Sequence, residues 1–279
     1  MILEKTVSNF VKEITVRKFK KEENLGQKVL IKHFLGKKEI FQDDGEIVFE
    51  RFVKVKYNPN AKEKLEINRE KILEELEKEK HFLIDLSFYN YHNEKGKKSL
   101  KVQVIQSLSE IRNFLFDTNL ILIGKIDLKL SNFVKICERN EFPFEKFNAV
   151  ILDPYGEEIF EEKDLEKYNL FLFGGIVDVG QKWYYATKYL FQDLDFPRKR
   201  IELKGSIKGV PDRINILIKI LLESYYLKIP LEKAIVKNQG KKEIFERLYH
   251  EKKKGSKNFE EVVNVNHPSF NEIYKKVFG

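Results

Sequence analysis

Short apolar runs alternate with amphipathic stretches from residue 81 to residue 230, and this rhythm predicts an α/β fold. Strands are predicted in HFLIDLSF (81–88), LILIGK (120–125), FNAVILDP (147–154), LFLFGGIV (170–177) and RKRIELKG (198–205). Helices are predicted in 100–116, LSNFVKICERN (130–140), EEKDLEKY (161–168), KWYYATKYLF (182–191) and DRINILIKILLESYYL (212–227). Because the strands are nearly continuous apolar runs, we expect a mainly parallel sheet with helices on both faces.

Two smaller modules are predicted to flank this domain. In the first, KVLIKHFL (28–35) and EIVFERFVKVKY (46–57) are rich in β-branched and aromatic residues, and a turn signal at 43–45 separates them. A charged helix over 61–80 then connects to the central domain. The sequence after Pro230 is typical of short basic helices. We therefore expect an N-terminal α+β module at 1–78, a central domain at 79–230 and a C-terminal helical module at 231–279.

The charge is distributed unevenly along the 279 residues. The net charge of +8 divides into +3 for residues 1–80, +1 for 81–230 and +4 for 231–279. Basic ends around a nearly neutral centre suit an enzyme whose appendages hold a polyanion, although a solvated lysine-rich surface gives the same numbers. A single cysteine, no apolar stretch of membrane-spanning length and no signal-peptide pattern predict a soluble, cytoplasmic protein.

Three of the predicted strands end in loops rich in glycine or proline, at 152–156, 174–178 and 203–212. Ligands of open α/β sheets bind at the carboxyl ends of strands, and glycine lets the backbone approach them closely. The sequence lacks the GxxxxGK[ST], GxGxxG, HExxH and GxSxG motifs. Its five histidines are scattered, so no metal site is expected, and Cys137 is interpreted as structural.

The segments ILDPYGEE (151–158), FGGIVD (173–178) and FPRKRIELKGSIKGVPDRINILIKIL (196–221) together resemble the archaeal tRNA position-9 purine N1-methyltransferases. That family belongs to the SPOUT superfamily, and the resemblance covers about residues 81–230. It implies a deep trefoil knot in the sheet, which pattern alone would not have suggested because chains rarely thread themselves. It also implies a tRNA substrate and a monomeric enzyme.

The resemblance further implies that S-adenosylmethionine binds in the knot and leaves as S-adenosylhomocysteine. Recognition of an adenine by backbone groups fits loops that are made of glycine and proline. The residues that match the cofactor-binding positions of the family are Leu152, Asp153, Gly174, Gly175, Ile176, Lys204, Gly205, Ser206, Gly209 and Val210.

Three aspartates are the candidate catalytic residues: Asp178, Asp212 and Asp85. Guanine N1 carries a proton that must leave during methylation, so a general base would help. Adenine N1 presents a lone pair, and its methylation creates a cation that a carboxylate would stabilise. Helix capping is the structural alternative, above all for Asp212, which lies at a predicted helix start.

Basic residues near the predicted site are the candidates for tRNA contact: Lys95, Lys97, Lys98, Arg112, Lys125, Lys182, Arg198, Lys199 and Arg200. Each is also compatible with an ordinary surface charge. Trp183, Tyr184 and Tyr185 are candidates to stack on an extruded base, with core packing as the alternative. The GGIVD and SIxGVPD patterns resemble those of crenarchaeal family members associated with 1-methyladenosine, so the resemblance favours adenine, while guanine or both purines stay open. A SPOUT enzyme for another RNA such as rRNA, and a silent RNA-binding module, are the rival interpretations.

Overall fold

A computed structural model describes residues 1–179, 183–256 and 259–279 of the chain. The chain folds into two compact units. The first consists of Met1–His81, Leu108–Ile121 and Leu128–Lys135, and the second of Phe82–Ser107, Leu122–Asp127 and Ile136–Gly279.

The first unit contains a three-stranded sheet in the order β1-β3-β2, in which β1 and β3 are parallel and β2 and β3 antiparallel. Its elements are α1 (Ile2–Val7), β1 (Glu13–Val16), α2 (Leu25–Phe34), β2 (Glu46–Glu50), β3 (Lys54–Tyr57) and α3 (Arg69–Leu76). The predicted strand in 46–57 is confirmed as the pair β2 and β3. The helix predicted over 61–80 is shorter, because Asn68 caps α3 by accepting the N–H of Lys71 at 3.2 Å.

The β-branched and aromatic composition of KVLIKHFL favours a strand, but this segment lies in helix α2. Leu25, Val29, Leu30 and Phe34 recur at helical spacing and are all buried. The ring of Phe34 packs edge-on against Phe116, with centroids 5.9 Å apart. Burial of this apolar helix face outweighs the β propensity of valine, isoleucine and phenylalanine.

A seven-stranded sheet dominates the rest of the fold, in the order β6-β5-β4-β9-β7-β10-β8. Its strands are β4 (His81–Asp85), β5 (Leu120–Ile123), β6 (Lys135–Cys137), β7 (Ala149–Leu152), β8 (Glu158–Ile159), β9 (Leu170–Gly174) and β10 (Arg198–Arg200). The pairs β7–β9, β7–β10 and β8–β10 are parallel. The predicted α/β class and the five predicted strand regions are confirmed.

The later helices are α4 (Glu94–Arg112), α5 (Asp164–Lys167), α6 (Ala186–Leu190), α7 (Ile214–Leu227), α8 (Leu231–Lys237), α9 (Lys241–Lys254) and α10 (Phe270–Phe278). They confirm the predicted helical regions except 130–140. That helix is wrong: residues 135–137 form strand β6, and the carbonyl of Cys137 accepts the N–H of Gly124 at 3.0 Å. Pairing at the sheet edge decides the conformation here, because periodicity in short apolar runs is ambiguous.

No helix in the described part of the chain combines the length and apolarity that a membrane crossing requires.

Candidate active site

The three glycine- or proline-containing loops leave the sheet at the same edge. Leu152 at the end of β7 is in register with Phe173 of β9 and with Lys199 of β10. Since these strands are parallel, their carboxyl ends meet side by side. The structure therefore brings together the loops at 152–156, 174–178 and 203–212, which were predicted from the sequence to form one site.

Gly175 is pressed against the end of strand β4. Its N–H donates to the carbonyl oxygen of Asp85 at 2.7 Å. A Cβ at Gly175 would lie 2.6 Å from that same oxygen and 2.9 Å from Cδ2 of Leu86. Only glycine permits this approach, so the Gly174-Gly175 pair fixes how the backbone turns out of β9.

The loop that carries Asp178 is held from both sides. Val177 donates its N–H to Nε2 of His92 at 3.0 Å, and Asn93 Nδ2 donates to the carbonyl of Val179 at 2.9 Å. Asp178 itself accepts the N–H of Trp183 at 3.1 Å, and its side chain is exposed. Because the backbone around Asp178 is held by hydrogen bonds and its carboxylate is open to solvent, this carboxylate can contact an incoming substrate.

Trp183 faces inward. Its ring lies 5.4 Å from the imidazole of His92 and 6.4 Å from the ring of Phe88, centroid to centroid. This packing agrees with the core alternative for Trp183. Tyr184 and Tyr185 are 59% and 50% exposed, so the three adjacent aromatics divide into one inward and two outward rings.

Asp85 is fully buried, and both of its carboxylate oxygens have protein partners. Oδ1 accepts the N–H of Ser87 at 2.9 Å, and Oδ2 forms an ion pair with Arg139. Arg139 also pairs with Asp193 at 2.6 Å and lies over the ring of Phe191. The carboxylate of Asp85 thus holds an arginine and a turn in place, which favours a positioning role.

Asp153 is buried at the end of β7 and accepts the N–H of Tyr155 at 2.9 Å. Burial raises the pKa of its carboxyl, against the opposing effects of that hydrogen bond and of Arg198 and Lys188. The two cations therefore face this loop from β10 and α6.

The third loop needs unusual backbone conformations. Lys204, Gly205 and Gly209 have φ values of 48°, 73° and 83°. The buried side chain of Arg247 donates from one Nη to the carbonyls of Leu203 at 2.6 Å and Lys208 at 3.1 Å. Arg247 lies in α9, so the C-terminal helices support the loop directly.

A second buried side chain supports the same loop. Nε2 of Gln239 donates to the carbonyls of Gly209 at 2.9 Å and Val262 at 3.0 Å. A Cβ at Gly209 would lie 2.7 Å from Cβ of Arg247, so the close packing also excludes a larger residue. Sequence reasoning missed both Arg247 and Gln239, because nothing in a basic helix marks one arginine as buried.

Asp212 stands apart from the other two aspartates. Its side chain is 65% exposed and pairs with Nζ of Lys242 at 2.5 Å. It does not cap α7, although capping is its structural alternative. The first N–H of that helix, from Ile214, instead finds Oε1 of the buried Gln103 at 2.9 Å.

Comparison with known proteins identifies the family. No family model matches the chain. A Sulfolobus acidocaldarius protein named tRNA (adenine(9)-N1)-methyltransferase is 40% identical over 173 residues, which are 61% of this chain and 58% of the relative. A Thermococcus kodakarensis protein named tRNA (guanine(9)-/adenine(9)-N1)-methyltransferase is 29% identical over 192 residues, or 61% of this chain and 50% of the relative.

Solved structures extend the similarity over the whole chain. A crystal structure of Sulfolobus acidocaldarius Trm10 matches 85% of this chain and 98% of its own, with 31% identity and a TM-score of 0.64. The chain belongs to the Trm10 family. A Trm10 structure from the same organism in complex with S-adenosylhomocysteine covers 100% of both chains, with 28% identity and a TM-score of 0.78. By sequence alone, the chain spans 58% and 50% of the length of the two curated relatives that it matches.

The predicted tRNA-contacting cations of this Trm10 family member lie in several environments. Lys95, Lys98 and Lys125 are exposed. Arg112, in the first unit, is tied to the buried Asp117 at 2.6 Å, and Lys199 is nearly buried beside Asp164 at 3.0 Å. Lys97 and Arg198 are half-buried. Arg200 donates to the carbonyls of Gly156 and Glu157. Lys182 lies outside the described residues.

Two cavities flank Lys204, whose Nζ pairs with Glu232 at 3.0 Å. One, of about 800 Å³, opens towards Val263 and His267, and the other, of about 400 Å³, towards Phe160 and Gly205. Neither is lined by Asp178, so we place the reacting groups at the strand ends and not in these cavities.

Proposed function

We propose that the chain is an S-adenosylmethionine-dependent tRNA methyltransferase that acts on N1 of the purine at position 9, with adenine as the expected base. One observation carries the proposal: a Trm10 family chain presents the exposed Asp178 in one of three strand-end loops that lie side by side. The identity is 40% to the relative named for adenine and 29% to the one named for both purines. Because the second relative is named for both purines, guanine or both bases are the alternative.

The strand-end loops fit the cofactor. S-adenosylmethionine supplies the methyl group when it is bound. Gly174 and Gly175 let the strand-end backbone pack closely against neighbouring side chains and the end of β4. At Gly205, by contrast, no protein atom lies within 4 Å of the position that a Cβ would take, which leaves room for a flat ligand. In the described residues, the N–H groups of Gly205 and Gly209 donate to no protein atom and are free to bind an adenine. We assign cofactor contact to these four glycines and to Leu152, Asp153, Ile176, Lys204, Ser206 and Val210.

We further propose that the sheet carries the deep trefoil knot of the SPOUT superfamily. The full-length match to the Trm10 structure with a TM-score of 0.78 supports this topology. A knot would thread the segment after β10 through the loops at the ends of β7 and β9. Such threading would explain why so many backbone groups converge at one edge.

Asp178 is the proposed catalytic carboxylate. With guanine, Asp178 would accept the N1 proton as a general base. With adenine, Asp178 would stabilise the positive charge of the methylated ring. Asp85 would position the site through Arg139, and Asp212, already paired with Lys242, would act from the rim.

The flanking modules are proposed to grip the tRNA. Residues 1–78 and 231–279 carry most of the excess positive charge, and phosphate contacts would orient the substrate without reading its bases. We expect a monomeric enzyme that acts in the cytoplasm. An rRNA substrate or a non-catalytic RNA-binding role are the competing functions.

Nucleoside mass spectrometry of tRNA treated with the purified protein and S-adenosylmethionine tests the proposal. We expect 1-methyladenosine, and primer extension should stop at position 9. 1-Methylguanosine would establish the alternative base. Methylation of rRNA but not of tRNA would show that the enzyme acts on rRNA. The absence of any product, together with no cofactor binding by calorimetry, would leave only the RNA-binding role.

A further inference from the structure

Four tyrosines form an exposed patch beside the proposed active site. Tyr155, Tyr184, Tyr185 and Tyr189 are 44%, 59%, 50% and 62% exposed. Single exposed aromatics are common on protein surfaces, but contiguous ones mark binding sites. We call these four residues the tyrosine patch.

Two different loops build the patch. Tyr155 follows strand β7, and Tyr185 precedes helix α6, yet their ring centroids lie only 4.6 Å apart, with the planes inclined by 42°. Tyr189 lies one helical turn beyond Tyr185 and donates its N–H to the carbonyl of Tyr185 at 3.1 Å. This hydrogen bond keeps the exposed Tyr189 next to Tyr185 at the start of α6.

Tyr185 adopts a strained backbone. Its φ of 57° and ψ of 14° lie in the left-handed region, where a bulky side chain is an outlier. Such strain persists when the surroundings hold it, and it concentrates at functional sites. Here it presents the ring of Tyr185 towards Tyr155.

The charges around the patch suit a nucleotide. The Asp178 carboxylate lies next to the patch, since it accepts the N–H of Trp183, the residue before Tyr184, at 3.1 Å. Partial burial, followed by the proximity of Tyr184, Asp178 and Tyr185, raises the pKa of the Tyr155 phenol. Lys188 and Arg198 act on Asp153 from the neighbouring elements. Aromatic faces bind bases of any sequence, cations bind phosphates, and a carboxylate meets the reacting nitrogen.

We propose that the tyrosine patch is the platform on which the target purine stacks after it leaves the folded RNA. The proposal rests on the proposed function and adds the residues that receive the base. Trp183 is excluded from this role because it packs inward against His92. Tyr185 and Tyr155 hold the ring, and Asp178 is beside its N1 edge.

Single-turnover methylation of a tRNA with adenine 9, at saturating enzyme, tests the patch. The variants are Tyr185→Leu, Tyr155→Leu and Tyr185→Phe. The matched control is Tyr226→Leu, which removes a half-buried ring of α7 that lies outside both the patch and the flanking modules. Calorimetry with S-adenosylhomocysteine, thermal unfolding and sedimentation accompany each variant.

We expect each leucine variant in the patch to lower the single-turnover rate by about tenfold or more, as loss of one base stack does. Tyr185→Phe should stay within about twofold of the wild type, and S-adenosylhomocysteine affinity and the unfolding midpoint should not change. Two variants on different loops guard against a local folding defect.

Three results would overturn the patch. One is equal rates for Tyr185→Leu and Tyr226→Leu with an active wild type, which leaves the proposed function standing. Another is a matching loss of S-adenosylhomocysteine affinity, which would make the patch part of the cofactor site. A third is a dimer that the leucine variants dissociate. A wild type that binds S-adenosylhomocysteine but methylates no tRNA would refute the proposed function and the platform together.

Discussion

Val177 donates its backbone N–H to Nε2 of His92 at 3.0 Å, one residue before the proposed catalytic Asp178. Nδ1 of the same imidazole lies 3.0 Å from the carbonyl of Phe88. A carbonyl can only accept, so Nδ1 carries the proton and Nε2 is the acceptor. The buried His92 therefore fixes the active-site loop through a single neutral tautomer.

Replacing His92 tests this connection. His92→Phe keeps a ring against Trp183 but leaves the N–H of Val177 without an acceptor, and we expect kcat to fall by roughly tenfold. His92→Gln retains an acceptor and should recover much of the loss. The only tryptophan of the sequence is Trp183, so its fluorescence reports the loop directly. His33→Phe, in the first unit, is the control, and an unchanged kcat in His92→Phe would contradict the role.

The Asp178→Asn variant separates the two roles of the carboxylate. The amide oxygen can still accept the N–H of Trp183, so the loop should keep its position. With a guanine substrate we expect turnover to fall by more than about tenfold, because a general base is lost. With adenine we expect a smaller effect and weak pH dependence. Rates across pH for both tRNAs are the measurement, and Asp195→Asn, an exposed carboxylate outside the site, is the control.

Arg139→Met should destabilise the fold. The change removes the cation that faces the buried Asp85, and an uncompensated buried charge costs about 3–5 kcal/mol. Urea unfolding measures the loss. The double variant with Asp85→Asn should recover part of this free energy, since no buried charge then remains. A double variant less stable than Arg139→Met would show that the pair does not interact in this way.

Asp153→Asn should stabilise the protein at neutral pH. Burial raises the pKa of the Asp153 carboxyl above its usual 3.8, so the folded state binds a proton more tightly than the unfolded chain. The wild type therefore loses stability as the pH rises through the raised pKa. Asparagine still accepts the N–H of Tyr155 and carries no charge. Thermal unfolding of both proteins should show a difference above about pH 4 that vanishes at lower pH; a difference that grows on acidification would refute the sign.

Most of the sheet could be predicted because its strands are apolar runs bounded by glycine and proline. The errors fall where local and tertiary preferences disagree. KVLIKHFL has β-forming residues but buries a helical face through Val29 and Phe34. The segment around Cys137 has helical spacing but pairs with a strand at the sheet edge.

The loops of the site could be predicted from the sequence, but the side chains that hold those loops in place could not. Gly205 and Gly209 have positive φ values, and Gly175 lies too close to Asp85 to carry a side chain, so glycine marks these loops in the sequence. His92 meets Val177 across 85 positions, Arg139 meets Asp85 across 54, and Arg247 meets Leu203 across 44. A pairing at such separations leaves no local signal, because it depends on how the strands and helices pack.

By itself, the sequence determined five of the seven strands of the larger sheet, where glycine frees the backbone, and which three aspartates are candidates for the site. Only the tertiary structure decided how those carboxylates differ. Asp85 is enclosed with an arginine, Asp212 is paired with a lysine at the surface, and Asp178 is open to a substrate. The reason is physical: burial and charge partners set what a carboxylate can do, and both come from residues that are distant in the chain.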